Sequence, residues 1–81
     1  MQQLTVIYRL PVDMPDKLSR LGSTIKELRI KRGLSQQELA CILKVDKAYI
    51  SRIENGKKNL TIRSLIKIAE SLHTDLKRIF K

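Results

Sequence analysis

The sequence predicts an all-α domain of five helices, preceded by a short N-terminal extension. Hydrophobic residues make up 42% of the 81 residues, but the aromatic residues are only two tyrosines and one phenylalanine. A core must therefore be built mainly from leucine and isoleucine, which suits packed helices better than a β-sandwich. Apolar residues also recur at helical spacing behind residues that commonly cap helices. We assign residues 1–14 to the extension and residues 15–81 to the domain.

The extension carries a strand pattern. Within residues 2–10, alternating apolar positions are set against the polar Thr5 and Arg9, and Pro11 closes the run. The alternating apolar positions are Leu4, Val6, Tyr8 and Leu10. A single strand has no partner within a helical chain, so the extension is either a frayed tail or a β-strand that pairs with its copy in a dimer.

The first helix is predicted from Pro15 to Arg32. Pro15 followed by Asp16 is a start signal, and Gly33 ends the segment. Its apolar residues recur at intervals of three and four positions, and they are Leu18, Leu21, Ile25 and Leu28.

The second helix is predicted from Gln36 to about Leu43. Ser35 and Glu38 have the spacing of a capping box, in which each side chain bonds the backbone amide of the other residue. The buried stripe of this helix consists of Leu39, Ala40 and Leu43.

The third helix is predicted from Lys47 to about Asn55, with Asp46 as its cap and Gly56 as its stop. Ile50 and Ile53 form its inward stripe.

Two further helices follow, capped by Thr61 and Thr74. The apolar residues of the fourth are Leu65, Ile68, Ala69 and Leu72, and those of the last are Leu76, Ile79 and Phe80.

The chain is strongly basic. Seventeen lysines and arginines oppose eight acidic residues, which gives a formal charge of +9. This balance favours a polyanionic partner, either nucleic acid or an acidic membrane surface, although a basic protein with no such partner has the same composition. No apolar run has the length of a membrane span or a secretion signal, and the single Cys41 suits a reducing compartment. We expect a cytoplasmic protein that is not embedded in a membrane.

Residues for catalysis or metal binding are not grouped in the sequence. No acid/base pair, nucleophile constellation, metal cluster or phosphate-binding loop occurs, and we therefore predict no enzyme activity, no cofactor, no metal and no small-molecule substrate. Cys41 and His73 have no chemical partner at useful spacing, so we interpret both as surface or packing residues.

The second and third helices, joined by a three-residue turn, resemble the helix-turn-helix family of phage Cro and repressor proteins over residues 21–80. The matching residues are Ser35, Gln36, Glu38–Ala40, Tyr49–Gly56, Lys57–Asn59, Leu65, Ile68 and Ala69. The resemblance implies a lambda-repressor-like fold that binds double-stranded DNA. Within the family, Ala48–Glu54 and Asn59–Ile62 look most like controller proteins of restriction-modification systems, although general small repressors carry similar stretches.

A recognition helix presents the residues near its N-terminus to base edges in the major groove. The outward positions of the third helix are our base-reading candidates, and they are Lys47, Ala48, Ser51 and Arg52. Arg52 has the donors for guanine O6 and N7, and Ala48 could touch a thymine methyl group. The alternative for Lys47 and Arg52 is a solvated or phosphate-paired charge.

Gln36 is predicted to contact a DNA phosphate. It lies in the first turn of the second helix, where free amides and the helix dipole favour an anion, and the resemblance implies the same role. Further phosphate-binding candidates are Ser35, Tyr49, Lys57, Lys58, Asn59 and Arg63. The alternatives are that the Ser35 hydroxyl is occupied in its cap and that residues 57–63 form an ordinary surface loop.

The resemblance also implies two structural features. Glu54 is expected to form a buried ion pair with Arg29 that fixes the third helix against the first. The family usually has glycine in the turn where this chain has Lys44, and a left-handed backbone there would cost about 1 kcal/mol relative to glycine.

These features predict a sequence-specific transcription regulator that binds a palindromic operator as a homodimer, often in the promoter of its own gene. The dimer-interface candidates are Leu72, Leu76, Ile79 and Phe80, and packing within the domain is the alternative for them. A second hypothesis is an antitoxin-type interaction module that neutralises a toxin through the strand at residues 4–10 and binds DNA secondarily.

Overall fold

The structure is a computed structural model that describes the backbone of residues 10–79 and the side chains of residues 17–79. Five helices make up this part of the chain, and they are α1 (Leu10–Lys31), α2 (Gln36–Leu43), α3 (Lys47–Glu54), α4 (Ile62–Ser71) and α5 (Leu76–Ile79). Between residues 10 and 79 there is no strand. The predicted all-α fold of five helices is confirmed.

The first helix starts earlier than its sequence pattern predicts. It begins at Leu10, whereas Pro15 was the predicted start. Pro11 lies in the first turn of α1, where the amide hydrogen that proline lacks would have no helical partner. Residues 4–9 of the predicted strand lie outside the described residues, and Leu10 belongs to α1. The helix also runs across the predicted boundary between residues 14 and 15, and that division of the chain stays a prediction.

The capping box of α2 is confirmed. The Ser35 Oγ atom accepts a hydrogen bond of 3.0 Å from the Glu38 amide, and the Glu38 carboxylate accepts one of 2.8 Å from the Ser35 amide. Two amides that have no partner inside the helix are thereby satisfied, which fixes the start of α2 at Gln36.

The caps of α3 and α4 are also as predicted. Asp46 accepts a hydrogen bond of 3.0 Å from the Tyr49 amide, and Thr61 accepts one of 3.1 Å from the Ser64 amide. Both side chains therefore replace a missing intrahelical acceptor at the start of their helix.

The predicted cap of α5 is wrong by one residue. Asp75, and not Thr74, accepts a hydrogen bond of 3.3 Å from the Arg78 amide. Both residue types are good caps, and the start of α5 at Leu76 places Asp75 immediately before the helix.

The turn between α2 and α3 is left-handed at Lys44, where φ is 61° and ψ is 45°. The next amide, that of Val45, donates a hydrogen bond of 3.0 Å to the Ala40 carbonyl and so closes the end of α2. Lys44 therefore adopts the unfavourable left-handed backbone conformation that the sequence comparison with the family suggested for this position.

A leucine- and isoleucine-rich core joins all five helices. The buried apolar residues are Ile25, Leu39, Ala40, Ile50, Ile53, Leu65, Ile68, Ala69, Leu72 and Ile79. The predicted stripes of α2, α3 and α4 contribute most of them. Ala40 has no exposed surface at all, which lets α2 pack closely within the domain.

The first helix lies directly against the end of α3. A Cβ atom on Gly22 would collide with the backbone carbonyl oxygens of Ile53 and Glu54, and one on Gly56 would collide with Ser19. Gly56 also has a φ of 71°, a value that favours glycine. These two glycines allow α1 and the end of α3 to approach backbone to backbone.

Arg32 joins the end of α1 to the end of α4. Its Nε and Nη2 atoms donate hydrogen bonds of 2.8 and 2.9 Å to the carbonyl oxygens of Leu72 and His73. Carbonyls at the end of a helix have no intrahelical donor, so this side chain satisfies two acceptors that would otherwise need water.

Candidate nucleic-acid interface

The outer face of α3 presents the four residues that the sequence predicts to read bases. Lys47, Ala48 and Arg52 are exposed, and Ser51 is half-buried. On the opposite face, Ile50 and Ile53 are 1% and 2% exposed. The structure therefore separates the four candidates from the residues that hold α3 in the domain.

Two of the three polar side chains on this face, those of Lys47 and Arg52, make no hydrogen bond within the described part of the chain. The exception is Ser51, whose Oγ accepts a hydrogen bond of 3.4 Å from the Asn55 amide group. The hydroxyl of Ser51 can still donate a hydrogen bond, and the charged ends of Lys47 and Arg52 are open to a ligand.

Behind this face, Glu54 forms the predicted buried ion pair with Arg29. The Arg29 Nε and Nη2 atoms donate to the two Glu54 carboxylate oxygens at 2.6 and 3.1 Å, a bidentate arrangement. Arg29 and Glu54 are 8% and 7% exposed. The third guanidinium nitrogen, Nη1, donates to the Leu34 carbonyl at 2.6 Å. The pair thus ties α1, the end of α3 and the segment before α2 together.

Gln36 joins the same network, which the sequence did not predict. Its Nε2 atom donates a hydrogen bond of 2.9 Å to Glu54 Oε1. The side chain is half-buried and is held between the start of α2 and the end of α3. One amide hydrogen and the backbone amide of Gln36 remain outside this bond. Its predicted phosphate contact would have to use these two donors.

The remaining phosphate-binding candidates lie on both sides of α3. Ser35 is exposed at the start of α2, although its Oγ atom already accepts the capping hydrogen bond. Lys57, Asn59 and Arg63 are exposed in the loop after α3 and at the start of α4.

Tyr49 and Lys58 lie together. The Lys58 ammonium nitrogen is 5.2 Å from the centroid of the Tyr49 ring, within the range of a cation–π contact. Tyr49 is half-buried and packs against the core. The ring can therefore position the lysine, a relation between the two residues that their sequence spacing did not indicate.

The structure corrects the predicted dimer surface. Leu72 and Ile79 are each 1% exposed within the single chain, and both belong to its core. They have no apolar surface left for a second copy. Leu76 is half-buried against the same core, and Phe80 lies outside the described residues. The apolar period of α4 and α5 faces inward because these helices close the domain over α1 and α2.

Cys41 and His73, which the sequence left without a chemical role, are both exposed. Gln37 Nε2 lies 3.8 Å from the Cys41 sulfur. His73 has a φ of 56° and is one of the residues in the turn before α5. Among the described residues no group of acidic, histidine and cysteine side chains could hold a metal ion, and no helix is long and apolar enough to cross a membrane.

A helix-turn-helix family model matches residues 25–79. The control protein C.MunI from a Mycoplasma species is 40% identical over 68 residues, which cover 83% of this chain and 92% of that protein.

Solved structures agree with this match. The restriction-modification controller protein C.AhdI from Aeromonas hydrophila superposes with a TM-score of 0.79 at 31% identity, over 84% of this chain and 99% of that one. The controller C.Esp1396I, a tetramer in complex with its natural 35 base-pair operator, matches with a TM-score of 0.66 at 36% identity, over 79% of this chain and 95% of that one. The predicted resemblance is confirmed, and the chain belongs to the helix-turn-helix family.

Proposed function

We propose that this protein is a transcription regulator that binds operator DNA sequence-specifically as a homodimer. The observation that carries the proposal is the outer face of α3, where Lys47 and Arg52 are exposed and unpaired within the described residues. The helix that carries them is braced from behind by Arg29 and Glu54. The charge of +9 supplies the general attraction to DNA.

In this proposal α3 enters the major groove and its four outward residues read base edges. Arg52 forms two hydrogen bonds with guanine O6 and N7, which would discriminate against another base by about 1–3 kcal/mol. Lys47 donates to the same type of acceptor with less geometric selectivity, and Ala48 contacts a thymine methyl group. Ser51 donates its hydroxyl hydrogen.

The phosphate contacts flank this helix and set its depth and register in the groove. On one side lie Ser35 and Gln36 at the start of α2, where free amides favour an anion. On the other side lie Lys57, Lys58, Asn59 and Arg63, with the Tyr49 hydroxyl as a further donor. Because the Gln36 side chain is hydrogen-bonded to Glu54, a phosphate bound by Gln36 would also be coupled to the orientation of α3.

A palindromic operator follows from two-fold symmetry, because two copies of α3 would occupy major-groove sites one helical turn apart, about 34 Å. The names of the relatives support a narrower role. C.MunI is a control protein, and C.AhdI and C.Esp1396I are restriction-modification controllers, the latter solved on its operator. We therefore propose an autoregulatory controller of a restriction-modification system.

No observation on the described residues favours the antitoxin hypothesis. It depended on a strand at residues 4–10, of which only Leu10 is described, and Leu10 lies in α1.

The deciding experiment is a footprint of the purified protein on the DNA upstream of its own gene. We expect two protected half-sites related by a dyad, with centres one helical turn apart. Protection of scattered sequences with no dyad, or equal affinity for random DNA, would contradict the proposal.

A further inference from the structure

The structure leaves one face of α4 without an apolar partner. Ile62 and Ile66 are 60% and 41% exposed and lie one helical turn apart, so they project from the same side. They line a shallow surface hollow with Arg63, Lys67 and Glu70, and we call these five residues the α4 face.

Other exposed isoleucines do not form such a pair. Ile30 on α1 is 57% exposed and Ile42 on α2 is 51% exposed, each without a second large exposed apolar residue on its own helix among the described side chains. Single exposed apolar residues are common on protein surfaces, whereas contact surfaces are built from contiguous exposed apolar residues with a polar rim. Among the described helices, the α4 face comes nearest to that arrangement.

Two of the three charged residues on the α4 face, Arg63 and Glu70, are complementary to those of a second copy. Arg63 and Glu70 are seven residues apart, which is about two helical turns. If α4 pairs antiparallel with its copy about a twofold axis beside Ile66, Arg63 of each protomer lies opposite Glu70 of the other. A twofold contact uses the same patch on both subunits, so it requires this kind of self-complementarity.

Glu70 is free to make such a contact. Of the six acidic side chains within residues 17–79, four are already engaged: Glu38, Asp46 and Asp75 accept capping bonds, and Glu54 binds Arg29. Glu27, on α1, and Glu70 are the other two. The carboxylate of Glu70, in contrast, accepts no hydrogen bond and forms no ion pair within residues 17–79.

We propose that a second copy of this chain docks on the α4 face. The inference rests on the proposed homodimer and gives it a surface in place of the buried Leu72 and Ile79. It also suits a palindromic operator. The α4 face begins at Ile62, three residues after the end of the loop at residues 57–59, so a twofold axis through α4 relates the two proposed DNA-contacting loops and the two recognition helices symmetrically.

The first test measures the dimer without DNA by sedimentation velocity over a concentration series. Ile62→Glu and Ile66→Glu each place a charge in the contact twice, because both protomers carry the change, and we expect the dissociation constant of the dimer to rise by about a hundredfold. Ile30→Glu is the matched control and should leave it unchanged. Circular dichroism confirms that each variant is folded.

A charge exchange provides a second test that a loss of folding cannot mimic. Arg63→Glu sets two carboxylates against each other, and Glu70→Arg sets two guanidinium groups against each other, so each should weaken the dimer by about tenfold. The double variant restores the pairing with reversed sign and should return to within about threefold of the wild-type constant. A double variant weaker than either single variant would overturn the docking surface.

The outcomes separate this inference from the proposed function. If both isoleucine variants dimerise like the wild type, or if Ile30→Glu weakens the dimer as much as they do, the α4 face is not the dimer contact. The proposal that the protein binds operator DNA does not depend on that result. A wild-type protein that is monomeric both free and on DNA overturns the α4 contact together with the homodimer. A wild-type protein that is dimeric but binds operator and random DNA with equal affinity would instead overturn the proposed function alone.

Discussion

Glu54 is the residue on which the arrangement of α1, α2 and α3 depends most. Its carboxylate accepts hydrogen bonds from Arg29 on α1 and from Gln36 on α2, while its own backbone ends α3. A carboxylate on a helix that approaches phosphates would be repelled if it faced the DNA. Buried and paired in this way, it aligns three helices without adding negative charge to the interface.

Glu54→Gln should therefore lower the free energy of unfolding by about 3–5 kcal/mol, because it leaves the Arg29 guanidinium buried beside a neutral group. Urea denaturation followed by circular dichroism measures this change. Glu27→Gln on the exposed side of α1 is the control and should alter stability by less than about 0.5 kcal/mol. Equal effects at the two positions would contradict a structural role for the ion pair.

Arg52 and Lys58 should affect DNA binding in different ways. Arg52→Ala removes the proposed base contact, so we expect operator affinity to fall by about 1–3 kcal/mol while affinity for random DNA changes little. Lys58→Ala removes the proposed phosphate contact, so both affinities should fall together and the salt slope should decrease by about one unit. Fluorescence anisotropy with operator and scrambled duplexes checks both results, and selectivity retained in Arg52→Ala would rule out base reading by this residue.

At the scale of the elements, the three-residue turn between α2 and α3 determines how the two helices cross. Its first residue, Lys44, adopts the left-handed conformation that glycine accepts more readily than other residues. The hydrogen bond from the Val45 amide to Ala40 compensates by closing the end of α2. The angle between the helices is thus held by the cap and by the buried residues on either side of the turn.

Lys44→Gly should raise the free energy of unfolding by about 1 kcal/mol by relieving the left-handed backbone. The same substitution at Lys26, in the middle of α1, should lower it by about 1 kcal/mol, because glycine is unfavourable inside a helix. Thermal and urea unfolding of the two variants can be compared directly. Destabilisation of the Lys44→Gly protein would show that the lysine side chain makes a contribution larger than its backbone cost.

At the scale of the whole molecule, the net charge of +9 should dominate the strength of DNA binding. Operator affinity should fall steeply between about 50 and 200 mM salt, with a logarithmic slope close to −0.9 for each phosphate neutralised. Dimerisation through the α4 face, which combines the apolar Ile62 and Ile66 with charged residues, should depend less on salt than DNA binding does. A flat salt response of DNA binding would contradict the phosphate contacts.

The sequence was sufficient where structure is determined locally. Caps and apolar spacing correctly predicted the limits of α2 and the starts of α3 and α4, because Ser35, Asp46 and Thr61 bond amides only three residues away. The ion pair of Arg29 and Glu54 was predicted only through the family resemblance, since nothing local connects residues 25 positions apart.

Features that depend on packing between helices were predicted less well. The Gln36 bond to Glu54 and the Arg32 bonds to the end of α4 join residues that are distant in sequence, and no spacing rule identifies them. The dimer prediction failed for Leu72 and Ile79 because an apolar period shows that a residue is covered and does not show which chain covers it.

The close approach of α1 and α3 at Gly22 has a consequence for how specificity could change in this family. The position of α3 is fixed from its inner side and its end, by backbone contact and by the carboxylate network, and not by its outward side chains. The fold therefore does not depend on which side chains occupy the exposed positions of Lys47, Ala48 and Arg52. Substitution of these side chains alone could therefore change which operator is bound. Two related regulators could in this way come to recognise different DNA sequences while their folds stay the same.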